Sequence, residues 1–64
     1  MTLIKVDEVE INDWIRVKQR AGFVNACVLD IEYRPRALIL QAETDEGRPL
    51  SVSFQYGALI ETRQ

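Results

Sequence analysis

The 64 residues carry eight Lys or Arg against ten Asp or Glu, a net charge of −2, with 47% hydrophobic and 28% charged residues. That length admits one domain, near the lower size at which a chain folds without disulfides or metal, and the composition excludes a disordered chain. With no histidine and Cys27 as the only cysteine, an internal disulfide and a Cys/His zinc site are excluded within one chain.

No charged-then-apolar leader opens the sequence, and no apolar run approaches the ~20 residues that cross a bilayer. These features predict a soluble, cytoplasmic protein with no cofactor, no metal and no membrane partner. The small core such a chain can bury leaves self-association as an expectation, as a homodimer or higher oligomer.

In chain order, Leu3-Ile4-Lys5-Val6 is a short apolar lead-in, and Asp7-Glu8-Val9-Glu10 is a charged connector able to hold a helical turn. Asn12-Asp13 is turn chemistry, with Asn tolerating the left-handed region. Alternation begins directly after it: Trp14, Arg16, Lys18 and Arg20 fall on one face of a strand, and Ile15 and Val17 on the other.

Gly22 breaks the pattern, and a long run follows from Phe23 to Tyr33. Val24, Ala26 and Val28 are its apolar set at first, then Leu29, Ile31 and Tyr33 take over, so a bulge or bend near Val28-Leu29 is expected. Arg34-Pro35-Arg36 ends the run. A strand from Ala37 to Glu43, a hairpin tip from Thr44 to Pro49 and a strand from Leu50 to Phe54 come next. Leu50, Val52 and Phe54 point in; Ser51, Ser53 and Gln55 point out. Tyr56-Gly57-Ala58 reads as one short 3₁₀ turn before a last strand, Leu59-Ile60-Glu61.

The prediction is one all-β domain over residues 1–64, with residues 1–10 as lead-in and 11–62 as a small five-stranded antiparallel barrel with a short 3₁₀ turn before the last strand. Ile11-Asn12-Asp13-Trp14-Ile15-Arg16-Val17 is similar to the apolar-Gly-Asp-x-apolar-x-Val opening of SH3-like barrels, in their Tudor-like or KOW-like form, with Asn12 in place of the usual Gly. Phe54-Gln55-Tyr56-Gly57-Ala58-Leu59-Ile60-Glu61 resembles their closing turn and strand. The resemblance implies a fold and names no activity.

For function, residues 14–36 hold five Arg or Lys against two acids, whereas residues 1–13 hold one against four. An acidic whole with a basic middle argues against generic DNA coating. Common nucleophile-base pairs cannot be assembled without histidine, and carboxylate pairs such as Asp30/Glu32 and Asp45/Glu46 suit solvated surface. The expected function is therefore a non-enzymatic binding or adaptor module, engaging a protein through Trp14, Arg16, Lys18, Arg20, Arg34 and Arg36. The alternative is RNA or single-stranded DNA binding by the same face, extended by Arg48. A third reading rests on Ser51-Val52-Ser53-Phe54-Gln55-Tyr56, superficially similar to the pore strand of plasmid-encoded dihydrofolate reductases, which assemble four chains around one pore. The Gln-Ile-Tyr core of that strand is absent here.

Each of these residues also has a plainer reading. Arg16, Lys18 and Arg20 suit a charged edge strand that blocks aggregation, with Arg16 or an Arg of the Arg34-Pro35-Arg36 turn stacked on Trp14. Tyr33 and Tyr56 could form an aromatic cage with Trp14, or sit in the core as their inward phases indicate. Cys27 is expected to be buried and inert.

Overall fold

A computed structural model describes residues 2–63. Alternating apolar residues produce strands that join in one antiparallel sheet: β1 (Thr2–Lys5), β2 (Trp14–Gln19), β3 (Gly22–Tyr33), β4 (Leu38–Thr44), β5 (Pro49–Phe54) and β6 (Leu59–Thr62). Their spatial order is β1-β6-β2-β3-β4-β5. Consecutive strands β2 to β5 form a meander, and β6 returns to lie between β1 and β2. The sheet is open at the level of backbone pairing, with β1 and β5 as its edges.

Six strands form where five were expected. Thr2 to Lys5 is too short to show a period, but it pairs in full with β6, from Thr2↔Thr62 to Lys5↔Leu59. A 3₁₀ turn, Val6–Glu8, follows it and buries Val6. The segment before β6 holds no 3₁₀ turn. Instead the Ala58 N–H donates to the Gln55 carbonyl at 3.1 Å, and Gly57, at φ 85, takes the third position of a β-turn, where a positive φ favours glycine. Asp7 clamps this turn by accepting the Gly57 N–H at 2.9 Å.

The expected irregularity in the long strand is present: the β3–β4 register slips between Val28 and Asp30. Leu29 is the extra residue, and side-chain phase changes across it. Fully extended, β3 would span about 36 Å, longer than the molecule's 31 Å longest axis, and bending at the bulge takes up the excess. Before the bulge, Ala26 and Val28 point inward and are fully buried; after it, Ile31 takes the inward phase opposite Leu40. Leu29 itself is exposed.

Curvature lets one sheet enclose its own core. Val6, Ile15, Val28, Leu38 and Leu40 are fully buried, with Val9, Val17, Ala42 and Ile60 around them. Leu50, Val52 and Phe54 pack half-buried against this cluster, while Ser51, Ser53 and Gln55 are exposed, as the alternation predicts.

Both tyrosines depart from their expected core role. Tyr33 keeps the inward phase, opposite Leu38, yet is 65% exposed because it lies at the strand end, past the packed cluster. Tyr56 is 42% exposed on the turn, where its hydroxyl donates to the Arg34 carbonyl at 2.6 Å. Cys27 is half-buried rather than buried, because its phase is opposite to that of Ala26 and Val28.

Asn12 is the one non-glycine residue with positive φ among those described, at 78. Its N–H donates to the Val28 carbonyl at 2.7 Å, and the Asp13 N–H donates to the Glu10 carbonyl at 3.1 Å. The left-handed conformation therefore holds the turn against the bulged strand. Asn12→Val is expected to cost about 1–2 kcal/mol and Asn12→Gly less than about 1 kcal/mol, as read by urea unfolding.

Candidate binding face and its groove

The alternation that sends Ile15 and Val17 into the core places Trp14, Arg16 and Lys18 on the outer face of β2. Arg20 does not share that strand. It lies in the turn between β2 and β3 and is exposed. Nor is β2 an edge: it sits between β6 and β3. Its pairing to β6 is short, however, limited to Ile15↔Thr62 and Arg16↔Glu61. Beyond Arg16 the two strands part.

Arg16 is the hub of the outer face. Its guanidinium lies 4.2 Å from the centroid of Phe23, which stands beside Lys18 across the β2–β3 pair. The same group approaches a Glu61 carboxylate oxygen at 3.7 Å, with both side chains about one-third exposed. Stacking and ion pairing thus hold an arginine flat on the sheet, an arrangement its planar, weakly hydrated head group favours. Trp14 is covered by neither expected arginine; Arg63 lies 5.9 Å from its ring centroid. The Arg63 N–H also donates to the Trp14 carbonyl at 3.1 Å, which ties the end of β6 to the start of β2.

Large apolar side chains surround this hub. Leu3 is 60% exposed, Phe23 51% and Leu59 62%. Leu3 stands opposite Glu61 across the β1–β6 pair, and Leu59 is two positions before Glu61 on the same strand. With Val52 and Phe54 of β5 and Val17 and Ile60 at its floor, this set lines a groove of about 560 Å³. Arg16, Lys18 and Glu61 supply its charge, and Ser51 and Ser53 its hydroxyls. A solvated apolar surface rimmed by charge suits docking of another molecule.

The other sequence candidates lie elsewhere. Arg34 and Arg36 occupy the loop beyond the end of β3, and Arg34 pairs with Glu32. Trp14 opposes Cys27, six residues or roughly 20 Å of strand from Tyr33. Tyr56 is placed near the Tyr33 end by its bond to the Arg34 carbonyl. The three aromatics proposed for a cage are therefore distributed between two regions of the sheet. Arg48 sits in the β4–β5 turn beside Asp45 and Glu46, its N–H donating to the Thr44 hydroxyl at 3.1 Å.

Leu3, Phe23, Leu59 and Glu61 were not singled out by the sequence reading. Phe23 carried a usable signal, since it is out of phase with Val24, Ala26 and Val28. Leu59 likewise alternates with buried Ile60. Asn25, between Phe23 and Cys27 on the outer side of β3, holds its side-chain oxygen buried without a hydrogen-bond partner among the described residues.

Among the described residues no group of three or more acidic or cysteine side chains could hold a metal ion, and no helix is long and apolar enough to cross a membrane. In comparisons with known proteins, the chain matches no family model, no curated protein and no solved structure.

Removing the ion pair tests how the face is held. Glu61→Gln is expected to lower stability by less than about 1 kcal/mol, a loss that shrinks in high salt. Arg16→Ala should cost more and keep part of its cost in salt, because it also uncovers the Phe23 ring. Urea unfolding at two salt concentrations separates the two components.

Proposed function

We propose that this protein is a non-enzymatic binding module, an adaptor that engages a protein partner through the outer face built on Trp14, Arg16 and Lys18. The observation that carries this reading is the joining of Arg16 and Lys18 to exposed Leu3, Phe23 and Leu59 around one groove, with Trp14 further along the same face of β2. Interfaces with proteins favour this mixture, in which aromatic and Arg anchors sit within an apolar patch under a polar rim. The fold is read as an SH3-like barrel. A meander with a last strand returning beside its first, and a bulged second strand of that meander, support this reading.

The distribution of charge favours a protein over a nucleic acid. Arg16 and Arg34 are each matched by a carboxylate, and Arg36 and Arg48 lie in separate loops, so no continuous cationic track follows the stripe. Phosphate-backbone binding draws its affinity from such a track.

Affinity capture with immobilised wild-type protein, Trp14→Ala and Arg16→Glu tests the proposal. Proteins retained by the wild type should be depleted by about tenfold or more on both variants, a loss of at least ~1.4 kcal/mol. Equal retention on all three would sink it. A low-salt gel shift with single-stranded RNA that collapses as salt rises would replace the protein partner with a nucleic acid.

A further inference from the structure

The groove has a strand edge on each wall, and backbone parity turns both edges toward it. In an antiparallel pair, hydrogen-bonded and non-bonded residue pairs alternate. The Thr44 N–H donates to the Arg48 carbonyl at 2.8 Å. Leu50, Val52 and Phe54 lie at even steps from that pair, so their backbone groups serve β4. The N–H and C=O of Ser51 and Ser53 point to the free side, where β5 has no neighbouring strand.

Across the groove, the bond from the Arg63 N–H to the Trp14 carbonyl sets the phase, and Arg16↔Glu61 is the last register pair of β2 with β6. Lys18 and Leu59 are the next residues whose backbone groups turn toward each other. They form no register pair.

We infer that the groove takes an extended segment of a partner protein, alternating apolar and acidic residues, which adds as a strand to the free edge of β5. This rests on the protein-binding reading above and specifies how the partner enters. Backbone bonds to Ser51 and Ser53 supply the attachment, and pockets for alternate side chains supply the selectivity.

Two observations select this occupant. The charge is complementary, since Arg16 is already engaged by Glu61 and Lys18 has no ion-pair partner among the described residues. Finally, Pro49–Phe54 carries no charge and its one proline stands at the first residue, so the edge at Ser51 and Ser53 lacks the charge and proline that commonly protect edge strands.

Selection of short random peptides displayed on phage against the wild-type protein, followed by fluorescence anisotropy of the enriched sequences as synthetic peptides, tests the inference. Enriched peptides should alternate apolar and acidic residues. They should lose about tenfold or more in affinity, ~1.4 kcal/mol, on Ser53→Pro, which deletes an N–H on the free side while leaving the β4 ladder intact. Lys18→Glu, which leaves the backbone unaltered, should produce a comparable loss and guards against misfolding of the proline variant.

Enrichment without the alternating pattern, or peptides that bind both variants as tightly as the wild type, would overturn strand addition. So would self-association abolished by Ser53→Pro, which assigns the edge to a second copy. If protein capture persists in Ser53→Pro and Lys18→Glu but is lost in Trp14→Ala, strand addition falls and the binding-module reading stands. Capture indifferent to every variant overturns both.

Discussion

The rest of the structure depends on the change of direction of β3 at Leu29. A single sheet has two faces, and a flat one of this size would leave both largely wet. By inserting one unpaired residue between Val28 and Asp30, the chain bends its longest strand and brings the two halves of the sheet around a common interior. Val28 before the bulge and Leu40 behind it become fully buried in one cluster with Ile15 and Leu38. The turn at Asn12 is fastened to this bend, because the Asn12 N–H bonds the Val28 carbonyl and the Val28 N–H bonds the Asp13 carbonyl at 2.9 Å. The start of β2, and with it Trp14, is thereby positioned by the bulge.

The outer face follows from the same geometry. Once Ile15 and Val17 are committed to the interior, Trp14, Arg16 and Lys18 have to face outward, since strand side chains alternate. Their neighbours are decided by which strands come alongside. β3 brings Phe23, β6 brings Leu59 and Glu61, and β1, paired to β6, brings Leu3. Arg16 ends up between a ring and a carboxylate, held there by weak contacts of a kind worth about 1 kcal/mol or less each. Their effect is to orient a long side chain more than to stabilise the fold.

Binding surfaces and edge protection draw on the same residues, so the stripe on β2 had two competing readings. The edge reading does not hold for β2. β2 is interior to the sheet and its cations stand on a face, whereas the uncharged edge is β5. An uncharged edge next to a groove is a liability in a small domain, and occupation of that edge by a partner would remove it.

By itself the sequence determined what is local. Alternation specified the strands from Trp14 onward and their inward sets, Gly22 and Asn12 marked backbone that must leave the usual regions, and the phase change in Phe23–Tyr33 located the bulge. Burial of the tyrosines was misread because phase reports direction, not distance from the core. Tyr33 points inward at a place where the packed cluster has ended. Everything that depends on long-range pairing was decided only by tertiary structure. The sixth strand exists because Thr2–Lys5 finds β6, the partner of Arg16 is Glu61 some forty-five positions away, and the groove arises where β2 and β6 diverge. Periodicity records which face a residue takes; it holds no record of which strand will lie beside it.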